Sequence, residues 1–176
     1  MVETTTCLVI HGQEGEGKKF MEEVSEVKAE GQVFTPNGIV SMILDAVKYF
    51  GDAILTKSVM EPSFGDGAFL VEIVSRIIHR GMDNGLNASD IHNIIENNVY
   101  GIEKDHALYK KAILRLDDLL HAYNIPDVEW KHLFCDDTLT AYKTFVGKMD
   151  WVVGIILSLN KASKQSSPAG VDYQAA

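Results

Sequence analysis

The chain has 176 residues, one ordinary domain's worth, with 46% hydrophobic residues and a mean hydropathy near zero. Its formal net charge of −9 and pI near 5.0 weigh against a domain that grips nucleic acid alone, which would show a basic face. No apolar run approaches the ~18 residues of a membrane span, no basic region followed by an apolar block opens the sequence, and Cys7 and Cys135 give neither a disulfide framework nor a metal spacing. The expectation is a cytoplasmic protein with reduced thiols.

Near the start, "GQEGEGKK" (12–19) follows the apolar "CLVIH" and fits G-x-x-x-x-G-K. Lys19 stands where a phosphate loop needs Ser or Thr to reach magnesium, and Glu14 and Glu16 would aim charge at the phosphates. A solvated leader is the better reading. Residues 17–30 are charged and helix-prone, with a thin stripe of Phe20, Val24 and Val27. The expected organisation is a leader or helix over 1–30, a folded domain over 31–159 and a disordered, small and polar tail over 160–176.

After the turn-rich "GQVFTPNG", residues 38–50 carry apolar side chains at helical spacing. "SVMEP" (58–62) reads as a short strand cut off by Pro62. Residues 67–82 form a strong helix with Phe69, Leu70, Ile73, Val74, Ile77 and Ile78 on one face, stopped by Gly81 and Gly85. A short helix over 89–98 starts at Ser89 or Asp90 as cap. "NVYGIEKD" (98–105) is a strand ending in acids, and residues 105–123 are a helix capped by Asp105. "VEWKHLFCDD" holds a third strand, "TAYKTFVGK" a short connecting helix, and "DWVVGIILSL" (150–159) a fourth strand, apolar enough to be covered on both faces.

Strands that alternate with helices define an α/β class with a parallel sheet, whose ligands sit at the carboxyl ends of the strands. Three such ends carry acids: Glu61 with Gly65, Asp66 and Gly67, then Glu103, then Asp136 and Asp137. The glycines bare the backbone just before a helix N-terminus, which suits a carboxylate. Glu103 can accept from ribose hydroxyls and Asp137 from an exocyclic amine, while Glu61 and Asp66 add negative charge for a cationic ligand. An amino acid, a ribose, an adenine and a positive sulfur together are S-adenosylmethionine. A nicotinamide cofactor fits less well, because G-x-G-x-x-G is absent and Glu103 lies far beyond the usual ~20 residues from the glycines. Acids at strand ends also serve as plain helix caps, and the scattered His11, His92, His106 and His121 show no metal spacing.

Four stretches in order resemble the N6-adenine DNA methyltransferases of restriction–modification systems: "GQVFTP" (31–36), "MEPSFGDGAFL" (60–70), "VYGIEKD" (99–105) and "CDDTL" (135–139). The resemblance covers residues 31–154. It implies a class I, Rossmann-like fold with helices on both faces of an incomplete sheet of about four strands. It implies S-adenosylmethionine held by Phe34, Thr35 and Pro36, by Glu61, Pro62, Ser63, Gly65, Asp66, Gly67 and Phe69, by Glu103 and Lys104, and by Asp137 and Thr138. DNA is the partner of the complete family enzyme.

The departure follows Gly154. The family continues there with Asn-Pro-Pro and an aromatic residue, which hold the extruded adenine. This chain has Ile155-Ile156-Leu157-Ser158, so no catalytic residue is assigned. The expectation is the cofactor-binding portion of such an enzyme, truncated and inactive on its own, with weak or no DNA binding. The alternative is a non-catalytic module that forms a homodimer, or pairs with a complementary methyltransferase chain, through an open apolar sheet edge at residues 150–159.

Overall fold

The computed structural model describes residues 35–141, 145 and 148–154, together with the backbone of Thr6–Cys7. In chain order the elements are β1 (Thr6–Cys7), α1 (Asn37–Ala46), a 3-10 turn (Asp52–Leu55), β2 (Val59–Glu61), α2 (Ala68–Asp83), α3 (Ala88–Asn98), β3 (Val99–Ile102), α4 (His106–Ala122), β4 (Leu133–Phe134), α5 (Thr138–Ala141) and β5 (Trp151–Val152). The strands form one sheet in the order β1-β5-β2-β3-β4, and every pair in it is parallel. The stretches 8–34 and 155–176 lie outside the described residues. So do the charged segment, the phosphate-loop decoy and the tail.

Strand alternation sorts the side chains onto two faces. Val59, Val99, Leu133, Trp151 and Val153 join one core with the apolar stripes of α1, α2, α3 and α4. Met60 and Ile102 point the other way, with Met149 and the half-buried Tyr100, Phe134, Phe145 and Val152. Ala141 of α5 packs there, so among the described residues helices stand on both faces, four on the first and the short α5 on the second. The stripe of α2 is the centre of the larger core. Leu70, Ile73, Val74, Ile77 and Ile78 are fully buried, each worth about 1.5–3 kcal/mol relative to exposure.

Polar cross-links fix the lower ends of the strands. The Asp150 carboxylate accepts from both the amide and the hydroxyl of Ser58, at 2.8 and 3.0 Å, which aligns the start of β5 with that of β2. The indole of Trp151 donates to the Val47 carbonyl and stands edge-on to Tyr49, tying the end of α1 to β5. On the outside of α2, Arg76 donates to Glu72, to Asp45, to the Tyr49 carbonyl, and to both the carbonyl and hydroxyl of Ser41, which locks α1 onto α2.

Three local expectations change. Gly81 does not stop its helix. It lies buried inside α2, where a Cβ would come within 2.7 Å of Ile91, so it is glycine to let α3 approach. The cap of α3 is Asn87, whose side chain accepts from the Asp90 amide. Of the connecting helix expected over "TAYKTFVGK", the structure places an earlier helical turn at Thr138–Ala141.

The larger change concerns the sheet edge. The strand expected to be open, β5, lies between β2 and β1: Thr6 pairs with Trp151 and Cys7 with Val152. At Trp151 and Val152 the edge that was to recruit a second chain is covered by the chain's own Thr6–Cys7, and residues 155–159 lie outside the described residues. Deleting residues 1–10 would leave one side of β5 unpaired, and exposed edges associate. The expected outcome is concentration-dependent association of the shortened chain in light scattering, with the full chain monomeric. A shortened chain that stays monomeric and melts as the full chain does would show that β1 protects nothing.

Candidate ligand-binding crevice

The carboxyl end of β2 runs through Glu61-Pro62-Ser63-Phe64-Gly65-Asp66-Gly67 into α2, and packing dictates its path. Phe64 is buried, its amide donates to the Ile102 carbonyl, and its ring lies over Gly101 and against Tyr109. The Gly67 amide donates back to the Phe64 carbonyl, closing a tight turn. Gly65 and Gly67 have φ of 55° and 84°, a region L-residues rarely adopt. A Cβ on Gly67 would also stand 2.8 Å from that of Ala112 on α4.

The neighbouring strand ends are stitched to this loop. Glu103, nearly buried, accepts from the Gly65 amide with one carboxylate oxygen and from the Asp105 amide with the other, both at 2.7 Å. Each oxygen keeps a further acceptor position. The Glu103 amide donates to the Phe134 carbonyl, and the Asp136 amide donates to the Glu103 carbonyl. The Thr138 hydroxyl donates to the Pro62 carbonyl. Three strand ends are therefore hydrogen-bonded into one candidate crevice.

The acids differ in state. Glu61 is buried, and its Oε2 has no hydrogen-bond partner. Burial first, then the nearby Glu103 and Asp66, push its carboxyl well above the usual glutamate range, while the Leu70 amide opposes them. Gly154, at the end of β5, lies against Glu61, so a fourth strand end reaches the crevice. Asp137 is held below the usual aspartate range by Lys104, at 2.7 Å, and by the Leu139 amide. The same ion pair raises Lys104. The expectation that Asp66 lends its charge to a cationic ligand is revised. Its carboxylate turns to α4, where Arg115 at 2.8 Å and Lys111 at 3.2 Å neutralise it.

Other expected residues take these places. Ser63 is exposed on the loop, and the Phe69 ring lies in the core, which leaves its backbone amide in the first turn of α2. Thr35 and Pro36 stand at the entry of α1, where the Pro36 carbonyl accepts from Ile39 and Val40. Phe34 lies outside the described residues. Sequence reasoning missed Arg115 and Lys111. Their signal was the i, i+4 spacing of two cations beside the apolar stripe of α4, the usual pattern of a solvated face.

A parallel sheet with helices packed against it, whose adjacent strand ends gather acids around a glycine turn, defines an α/β domain of Rossmann-like type. The family model described as N-6 DNA Methylase matches residues 18–156, and the chain belongs to that family. It is 31% identical over 106 residues to the Type II methyltransferase M.BstVI of Geobacillus stearothermophilus, covering 58% of this chain and 19% of that protein. It is 31% identical over 98 residues to the Type II methyltransferase M.PaeR7I of Pseudomonas aeruginosa, covering 53% and 16%. The chain thus spans less than a fifth of the length of these relatives. Among solved structures, the Type ISP restriction-modification enzyme LlaBIII bound to DNA shares the fold with a TM-score of 0.51 and 18% identity, over 68% of this chain and 9% of that one. A DrdV–DNA complex gives 0.50 and 17%, over 76% and 13%. Among the described residues no helix is long and apolar enough to cross a membrane.

The state of Glu61 sets a pH dependence. In the folded chain the group keeps its proton at pH values where an unfolded glutamate has lost it. Between the two pKa values the folded state binds more protons, so stability falls as pH rises through that window. Glu61→Gln removes the titration at little change in volume. Its stability relative to the wild type is expected to rise with pH from the ordinary glutamate range upward, then level off above the raised pKa. Urea unfolding at stepped pH reads this difference. A difference that stays flat would mean that Glu61 is already charged in the fold.

Proposed function

We propose that the crevice binds S-adenosylmethionine and that the chain is the cofactor-binding portion of an adenine-N6 DNA methyltransferase of a restriction–modification system. The observation that carries the reading is Glu103, a nearly buried carboxylate braced by two backbone amides with acceptor positions left at the strand end. The chemistry of the other residues fits the same molecule. The amides of Ala68 and Phe69, in the first turn of α2, have no intrahelical acceptor and suit the cofactor's carboxylate. The unpartnered Oε2 of Glu61 suits its cationic part. Glu103 suits the ribose diol, and Asp137, with Thr138 beside it, suits the adenine amine. The cofactor, when bound, supplies an activated methyl group; this chain binds and orients it.

The alternative of a module that pairs through an open edge at 150–159 is less favoured, because Trp151 and Val152 of that edge already pair with Thr6 and Cys7. Calorimetry with S-adenosylmethionine and S-adenosylhomocysteine tests the favoured reading. Glu103→Ala removes hydrogen bonds to a charged acceptor, worth roughly 1.5–3 kcal/mol, so affinity should drop about ten- to a hundredfold. Equal affinity in the variant would remove the ribose assignment, and no binding by the wild type would remove the cofactor reading.

Methyl transfer to DNA by this chain alone is not expected. Extruding an adenine costs a few kcal/mol, and stacking on an aromatic ring returns about 1–3 kcal/mol. The residues after Gly154 are Ile155-Ile156-Leu157-Ser158, with no amide side chain to accept from the amine and no ring to stack on the base. A net charge of −9 adds repulsion from the phosphodiester backbone. Tritiated S-adenosylmethionine incubated with mixed genomic DNA should leave no label in N6-methyladenine above a Glu103→Ala, Asp137→Ala control. Label above that control would place a catalytic group in the chain.

A further inference from the structure

The loop between β2 and α2 has a handle that faces away from the crevice. Asp66 sits between the two glycines whose backbone is the least restrained in the loop. One nitrogen of the Arg115 guanidinium donates to the Asp66 carbonyl at 2.8 Å and forms an ion pair with the Asp66 carboxylate, also at 2.8 Å, while Lys111 adds a second cation at 3.2 Å. Between those two positions on α4, Ala112 is the surface on which Gly67 rests. The contacts act on the backbone: with its carbonyl turned to Arg115, the Asp66–Gly67 peptide directs its N–H the opposite way, to the Phe64 carbonyl. The next residues are Ala68 and Phe69, whose amides open α2.

We propose that Arg115 is a positioning residue for the crevice: through Asp66 it fixes the glycine loop so that the first-turn amides of α2 are set for an anionic group of the ligand, which Arg115 itself does not touch. Lys111 supports it by sharing the Asp66 charge. This rests on the reading that the crevice holds S-adenosylmethionine, whose carboxylate is that anionic group. A charge-assisted hydrogen bond to the Asp66 carbonyl beside an ion pair with its carboxylate holds both the backbone and the side chain of that residue from one planar group. A lysine keeps the charge but carries it on a flexible stem with no planar group to orient the contact.

The test uses the full chain with S-adenosylhomocysteine as the probe in calorimetry, and amide hydrogen exchange without ligand. Arg115→Met is expected to weaken binding roughly five- to fiftyfold, the range of a lost charge-assisted contact, and Arg115→Lys to recover part of it. In the unliganded Arg115→Met chain, exchange should quicken at Gly65–Leu70 while Ile73–Ile78 of α2 keep their protection. Wild-type affinity in Arg115→Met would overturn the proposal. So would a loss that Arg115→Lys does not relieve and that comes with faster exchange throughout α2, since that marks general destabilisation. Should the wild type bind no probe, the cofactor reading falls by itself. The exchange arm then still decides the clamp: unchanged exchange at Gly65–Leu70 in Arg115→Met overturns it, and faster exchange confined there upholds its hold on the loop.

Discussion

The crevice depends on one carboxylate that serves two turns at once. Glu103 takes the Gly65 amide of one loop and the Asp105 amide of the next, both at 2.7 Å. The strands give these loops little support of their own: β2 has three residues, β3 four, and β4 and β5 two each. Ladders that short fix direction, but they leave the strand ends free to splay. The splay is prevented by bonds at the ends themselves, from Phe64 to Ile102, from Glu103 to Phe134, from Asp136 to Glu103 and from Thr138 to Pro62. An amide buried without its acceptor costs about 1–3 kcal/mol, so the loops hold Glu103 in place as firmly as it holds them. A group fixed in this way has already lost the rotamer freedom that a flexible carboxylate would have to give up on meeting a partner.

The electrostatics of the crevice differ from what its composition suggests. Glu61, Asp66, Glu103 and Asp137 are four acids in a chain that already carries −9. Asp66 is balanced by Arg115 and Lys111 and Asp137 by Lys104, while burial pushes the Glu61 carboxyl up towards its neutral form. The fold therefore avoids gathering four like charges, whose mutual repulsion in a partly buried site would be large.

How much of this was legible in the sequence follows from the kind of signal each feature leaves. α2 was legible because six apolar residues at helical spacing leave few alternatives, and α4 because Asp105, a capping residue, stands directly before its run. The cap of α3 was misplaced because Asn87, Ser89 and Asp90 all suit the role within one turn. Gly81 was misread because a glycine that admits a neighbouring helix looks the same in sequence as one that ends its own. β1 was missed because two paired residues leave no periodicity to detect. The acids of the crevice were found through their place at strand ends. The role of Asp66 was not, because its partners lie 45 and 49 positions further along the chain.

That distance explains how the core sets the site. α4 presents Ala112, Leu116 and Leu120 to the main core, all fully buried. This packing fixes the rotation of the helix about its axis. Lys111 and Arg115 are one turn apart on the same side, so their position against the glycine loop is fixed by the same rotation. Ala112 is small where Gly67 presses on the helix, and a larger side chain would push loop and helix apart along the line that Arg115 spans. A change in the buried face of α4, far from any ligand, therefore acts on the loop by turning or shifting the guanidinium that holds Asp66.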